Sequence, residues 1–445
     1  MMYKCSFINF ENGRNEDELL LPEVIYHKFD VSKQVILIAG NSFLNVHCSP
    51  SATGNSQITL KTSNPLFSSI PRMDNILVKL NQDNNSLTIG PVTALLIDHC
   101  QGDKLNTHSL KEYFTECQSW FQLKGGLFYL LPVTSLLKNR TEAWIFDQNE
   151  WQMKTMPLPH VIYNRSHSRK IETHPLYESS LKRMNDHSVH LFNSSFLSKD
   201  IVHVHLLNSK QLQPHLPETV QGIERVDEML AVYTDVFVKA VNGSKGRYII
   251  RIQKRENDYL VYQNSFTSKR TLTFPTYSSL YRQLHSWCGD SHYIVQQTIP
   301  LKTVKEQPLD FRFLCHKNHK GAWTVISSVA RIASENQFVA NIDQGGRMDP
   351  PLSILTSLFD SDEGRLIFTK MKALALSASS VLTQHLDGHY AELGIDIGID
   401  CDGKPWIIEI NSKPSKRTFV DNERVRPSVK TLYEYSYNIW NEKED

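Results

Sequence analysis

Residues 1–88 alternate short apolar runs with polar turn clusters. Val35, Ile36, Leu37 and Ile38 form one run, Ile58, Thr59 and Leu60 a second, and residues 76–80 a third. Between them stand Asn41 and Ser42, Ser49, Pro50 and Ser51, and residues 82–85, all of turn-favouring types. Several short strands joined by polar turns predict a small sheet or barrel. From Leu87 the texture changes. Residues 87–96 read as one apolar strand, and residues 108–121 place Leu110, Tyr113, Phe114, Cys117 and Phe121 at helical spacing. Residues 126–131 are a continuous apolar run of the kind buried in a parallel sheet. Residues 143–146 and 161–164 extend it, and strand, helix, strand predicts an α/β unit. Residues 201–206, IVHVHL, have an ambiguous period.

The second half is patterned more strongly. Residues 236–252 read strand, glycine loop, strand, and residues 291–301 a strand with an irregular exit. Residues 309–314 alternate cleanly, with Asp310 and Arg312 on one face and Phe311 and Phe313 on the other. A turn at 318–321 returns the chain through residues 323–333. Residues 366–385 form an amphipathic helix, with Ile367, Met371, Leu374, Ala378, Val381, Leu382 and His385 mostly three or four apart. Asp387 and Gly388 stop it. Residues 392–416 are two short strands around a turn at Cys401, Asp402 and Gly403. Residues 427–445 predict a last helix with Tyr433, Tyr437 and Trp440 on one face.

Composition narrows the class. With 445 residues, 40% apolar and 21% charged, the chain is long enough for two or three domains of ordinary globular type. A net charge of +1 offers no overall field to nucleic acid or an anionic membrane, and neither partner is expected. Seven scattered cysteines without C-x-x-C spacing predict reduced thiols in an intracellular protein. His203, His205 and His215 are read as ordinary histidines rather than metal ligands. The opening residues lack the long apolar run of a signal peptide, and no window is expected to reach the ~18 apolar residues of a membrane span.

Candidate chemistry concentrates in residues 392–416. Asp396, Glu409 and Asn411 are oxygen donors; Glu409 and Asn411 are two apart and share a strand face. If the hairpin pairs, Asp396 lies across from them. Two carboxylates and an amide suit Mg²⁺ bound to nucleotide phosphates, which takes few protein ligands and keeps its waters. Lys239 ends an apolar strand (Val236, Phe237, Val238), where a buried ammonium wants an anionic partner. Gly243, Ser244, Lys245 and Gly246 follow in a loop between two strands, so this is no Walker A loop, which needs a helix after its glycines. It suits a flap whose backbone N–H groups close over phosphates; taken alone it is equally an ordinary hairpin turn. Arg165 and Arg169 either face a substrate or solvate a loop.

An Asp-bearing strand followed by E-I-N on the next, with Asp396 and Glu409 13 positions apart, resembles the magnesium-binding end of ATP-grasp enzymes. The fuller run, E-L-G-I-D-I-G-I-D then G-K-P-W-I-I-E-I-N-S-K-P-S, resembles the YheC/YheD-type endospore coat-associated ATP-grasp family. I-G-P-V at 89–92, G-L-F-Y at 126–129 and P-L-P-H-V-I-Y-N-R-S at 157–166 support it. The family usually has Asp where this chain has His160, and Lys-Pro where it has Lys239 and Ala240.

The resemblance implies an α+β and α/β multidomain chain: a β-rich N-terminal domain over 1–88, an α/β pre-ATP-grasp domain over 89–198, and an ATP-grasp domain over 199–445. It implies ATP and Mg²⁺ as cofactors. Lys199 and Lys239 would hold phosphates, main-chain groups near Gln296 and Gln297 the adenine, and Asp310 the ribose. Asp396, Glu409 and Asn411 would hold the metal. Arg312 and Arg331 would steady the acyl-phosphate and γ-phosphate, and residues 341–347 resemble a loop that covers the reacting end. The implied activity joins a small-molecule or peptidic carboxylate to an amine or thiol, in the cytoplasm or in association with the spore coat. The alternative is a structural protein among spore coat proteins that binds ATP without ligase turnover; a kinase is permitted by the same residues.

Overall fold

The computed structural model describes residues 2–11, 17–29, 34–51, 56–98, 110–243, 249–264, 269–334, 346–416 and 424–442. Their strands form a closed barrel and three six-stranded or near six-stranded sheets. The barrel runs from Met2–Glu11 to Ser86–Gly90. Its strands alternate as the sequence does, so Phe7, Leu37, Val46, Ile58, Ile76 and Val78 meet inside. Closure leaves no row of unpaired backbone groups at an edge.

The apolar run at 87–96 divides between two sheets. Ser86–Gly90 pairs in the barrel and Val92–Ile97 in the second sheet. Pro91 has no N–H with which to continue a ladder, which is why one apolar run makes two strands. Val92–Ile97 pairs in parallel with Leu127–Pro132 and with Val161–Asn164, and all three are buried along their whole length. Helix Lys111–Lys124 covers this sheet.

The third sheet, from Thr219–Gln221 to Lys269–Phe274, is antiparallel throughout. Helices Val226–Tyr233 and Tyr277–Cys288 pack on Val236, Val238, Ile250 and Ile252, so the alternate residues Phe237 and Lys239 point the other way. The fourth sheet joins Arg347–Asp349, Trp323–Ile332, Gln307–Lys317, Glu392–Ile399 and Pro405–Asn411. Helix Ser361–Gln384 lies on it. Asp360 caps that helix, accepting from the N–H groups of Asp362 and Glu363. Its stripe of Ile367, Met371, Leu374, Ala378 and Leu382 buries against Phe311, Phe313, Ile395 and Ile397. By length and composition this helix is apolar enough to cross a membrane, contrary to the sequence expectation, but its stripe is packed on the sheet.

The last helix, Pro427–Glu442, returns to the second sheet. Val429, Leu432, Tyr433 and Tyr435 pack with Tyr113, Phe121, Phe128 and Phe192. The ambiguous stretch at 201–206 is helical, Lys199–Leu207, and buries Val202 and Leu206.

Candidate functional site

One face of the fourth sheet belongs to helix Ser361–Gln384, so the charged alternates fall on the other. Cross-strand register sets Asp310 opposite Arg331, Arg312 opposite Asp396, and Asp396 opposite Glu409. The last pairing depends on a bulge. Ile397 faces Ile407 and Asp396 faces Glu409, so Ile408 is the extra residue. A regular ladder would put Ile408 across from Asp396; the bulge brings the second carboxylate there instead. The turn that closes the hairpin is set by Asp400, which accepts from the N–H groups of Asp402 and Lys404, and by Gly403 at φ +75°.

The face carries a shared ion network. Arg312 grips Asp396 with two hydrogen bonds (2.7 and 2.6 Å), and Arg331 adds a third at 2.9 Å. Arg331 also binds Asp310 through both of that residue's oxygens (2.5 and 2.6 Å). Burial opposes ionisation of Asp396, but Arg312 and Arg331 outweigh it and hold its carboxyl below the usual range.

Glu409 links this face to a narrow cleft between the third and fourth sheets. Lys199 Nζ donates to Glu409 Oε1 (2.8 Å) and to the Gly243 carbonyl (2.7 Å). Lys239 reaches in from the opposite sheet and donates to Gln296 Oε1 at 2.5 Å. Gln296 Nε2 in turn donates to Thr219 Oγ1, which fixes the amide. Burial lowers the Lys239 ammonium to about 8, with Glu409 pulling it up and Lys199 pushing it down. Apolar walls come from Val202, Leu206, Leu216, Ile294 and Ile407.

The donor chemistry fits a hard divalent cation at Glu409 and Asn411, since both offer oxygen and Glu409 is one-third exposed. Asp396 is differently placed: its oxygens already face two guanidiniums, and the Asn411 amide lies 3.4 Å from one of them. Among the described residues no three His, Cys, Asp or Glu side chains converge as a metal cage. A cation here would therefore lean on phosphate oxygens and water as well as on protein.

The expected residues thus fall into two adjoining groups. Lys199, Lys239, Gln296 and Glu409 line the cleft, with Gly243 at its edge; Asp310, Arg312, Arg331, Asp396 and Asn411 line the sheet face. Some expected contacts are otherwise engaged. The Gln297 N–H donates to the Glu218 carbonyl, so it is not on offer to adenine. Asp310 is closed onto Arg331 rather than presented to a ribose. Ser244, Lys245 and Gly246 lie outside the described residues, as does all of the covering loop before Gly346.

Sequence reasoning missed the cleft-lining Val202, His203, Leu206 and Leu216. The helix Lys199–Leu207, which bears the first three, carries histidines on alternate positions, which hides its period. It also assigned nothing to Asp98, Glu172 or Lys413. Their partners are fixed only by tertiary contacts, and an acid just after an apolar strand was the sole local signal.

Two sheets facing each other across a cleft, one bearing a half-buried lysine and the other a carboxylate hairpin, are the arrangement of an ATP-grasp fold. A family model described as YheC/D like ATP-grasp matches residues 188–439, and the chain belongs to that family. It is 31% identical over 314 residues to the endospore coat-associated protein YheD of Bacillus subtilis (strain 168), covering 69% of this chain and 68% of that one. It is 25% identical over 312 residues to the endospore coat-associated protein YheC of the same organism, covering 66% and 80%. The solved D-cycloserine synthetase DcsG aligns over 78% of this chain and 99% of that chain, at 14% identity and a TM-score of 0.47.

Proposed function

We propose that this protein is an ATP- and Mg²⁺-dependent ligase that activates a carboxylate and joins it to an amine or thiol. The observation that carries this reading is Lys239: a half-buried ammonium in the cleft, held by an amide oxygen. No carboxylate lies within ion-pairing distance of it among the described residues. A half-buried cation left with a neutral partner is stabilised by an anion brought from outside, and nucleotide phosphate is an anion of that kind. Lys199 stands beside it and the apolar wall accommodates a base.

In this reading a substrate carboxylate oxygen bonds to the γ-phosphorus as the bond to the β,γ-bridging oxygen breaks. ADP leaves, and the amine or thiol then attacks the acyl carbon of the acyl-phosphate, losing a proton and expelling inorganic phosphate as the leaving group. Positioning and charge neutralisation supply the catalysis. Lys199 and Lys239 hold phosphate oxygens. Arg312 and Arg331, anchored by Asp396 and Asp310, turn their remaining N–H donors to the phosphoryl group. Glu409 and Asn411 would hold Mg²⁺, which would supply charge neutralisation at the phosphates, while Asp396 holds the two guanidiniums. The names of the relatives, endospore coat-associated proteins, support a setting at the spore coat.

Calorimetric titration of ATP with and without Mg²⁺, on wild type and Glu409→Gln, tests the site. Magnesium-dependent binding that the substitution weakens supports it. Well-folded wild type that binds no ATP refutes it. Binding without ADP release against carboxylate and amine panels would instead leave a nucleotide-binding coat protein without turnover.

A further inference from the structure

Where the second sheet meets the exit of the carboxylate hairpin, two arginines have no ion-paired carboxylate among the described residues: Arg165, buried and bonded to the Tyr163 hydroxyl and the Pro414 carbonyl, and the half-exposed Arg169. Strand Val161–Asn164 runs into a loop that Asp98 pins: its carboxylate accepts from Ser166 Oγ (2.6 Å), His167 N–H (2.9 Å) and Ser168 N–H (3.2 Å). The short helix Arg169–Glu172 therefore leaves in a fixed direction and delivers two charges to the seam. Glu172 is fully engaged. One oxygen takes Lys413 Nζ, and the other takes the Phe196 N–H at 2.8 Å. Lys413 and Arg169 both lie over the Phe196 ring, at 4.3 and 4.5 Å.

Arg169 has no such partner. Its Nη1 donates to Asn242 Oδ1 (2.8 Å), where the glycine loop begins, and no carboxylate comes within 4 Å of it among the described residues. The neighbouring acids are all committed: Asp98 to backbone, Glu172 to Lys413, and Glu409 to Lys199. Three charges in the clasp, Arg169, Lys413 and Glu172, leave one positive. A guanidinium carries five N–H donors in a fork that fits a carboxylate through two bonds. Half-buried against a phenyl ring, it is partly stripped of water, and Glu409 is close enough for its charge to be felt. Arg312, to which sequence gave the acyl end, is already bidentate on Asp396.

We propose that Arg169, contributed by the second sheet, binds the carboxylate of the ligation substrate and aims it at the phosphate end of the cleft. This rests on the ligase reading above and names its acceptor as an acid read by a positioning arginine from outside the two cleft sheets.

The test uses the full chain with saturating ADP and Mg²⁺. Saturation-transfer NMR is run with acetate, succinate and N-acetyl-L-glutamate, each against its methyl ester. Wild type is expected to bind the acids and ignore the esters. Arg169→Gln should weaken acid binding by about ten-fold or more, the loss of a charge-assisted pair. Arg169→Lys, which keeps the charge and loses the fork, should fall between, and ADP affinity should be unchanged in all three. Arg169→Gln that binds the acids as wild type does, or wild type that binds none, overturns the proposal. Wild type that fails to bind ADP overturns the ligase reading instead, and the acid titration without nucleotide still reads Arg169.

Discussion

Replacing Asp396 with Asn should open the fourth sheet, whereas replacing Glu409 with Gln should not. The Asp396 side chain is 5% exposed and receives three charge-assisted bonds from Arg312 and Arg331, themselves 18% and 10% exposed. Asparagine keeps the shape and removes the charge, so two guanidiniums remain in a buried face with only Asp310 between them. Breaking a buried pair from one side costs about 3–5 kcal/mol, because the surviving charge stays desolvated. Among the described residues Glu409 pairs only with Lys199, and at 33% exposure that pair is screened, worth below about 1 kcal/mol. Native-state hydrogen exchange on the amides of Gln307–Lys317 and Glu392–Ile399 reads this sheet alone. The expected outcome is exchange faster by about 100-fold or more in Asp396→Asn, since each 1.4 kcal/mol is a factor of about ten. Glu409→Gln should exchange nearly as wild type while losing the magnesium dependence of ATP binding. Wild-type exchange in Asp396→Asn would refute the network as a structural anchor and leave Asp396 free for metal alone.

Two pH effects follow from half-buried bases. Lys239 is charged below its pKa, which burial brings to about 8, so ATP affinity measured by calorimetry should fall as pH rises through about 8. Lys239→Met should remove that dependence and weaken binding by about ten-fold or more. His389 Nε2 and His190 Nε2 both meet the Tyr435 hydroxyl, at 2.6 and 2.8 Å; burial lowers His389 to about 3, and the charges of His190, Lys317 and His316 push the same way. The folded pKa lies below the unfolded one, so the unfolded chain takes up the proton first. Stability is full above about 6.5 and is lost as pH falls toward about 3, on the order of a few kcal/mol. Melting temperature against pH should show this loss in wild type and a shallower one in His389→Gln; parallel curves would sink the assignment.

Much of this was legible because the hairpin signals itself. Alternating Ile395, Ile397 and Ile399, with Asp and Gly in the turn, fixed two strands and put Asp396 near Glu409 before any coordinates. The bulge at Ile408 was not legible, since no residue there differs in kind from a regular strand. Nor was the clamp on Asp396: Arg312 and Asp396 are 84 positions apart, and their meeting is a matter of register between strands that local pattern does not set. The apolar run at 87–96 was read as one strand because its patterning is continuous; only the pairing of each half shows that it serves two sheets.

The same hairpin explains why the second sheet matters to the site. Its front carries Glu409 in the cleft and Asp396 and Asn411 on the adjoining sheet face, while its exit is bolted backward. Lys416 pairs with Glu392 at 2.5 Å, with both side chains at most 2% exposed, and the Tyr163 hydroxyl also donates to Glu392. Arg165 donates to the Pro414 carbonyl at 2.8 Å, and Lys413 holds Glu172 and the Ser166 carbonyl. Gly394 lets the exit pass closely, for a Cβ there would stand 2.7 Å from Pro414 Cβ. A hairpin that carries Asp396 and Glu409 at one end and is pinned to the second sheet at the other fixes the distance between them. Arg169 then stands on a frame rigid with respect to Glu409, which is what orienting one reactant against another requires. In the proposed reaction, substrate choice would change through the second sheet while the two cleft sheets kept their handling of nucleotide.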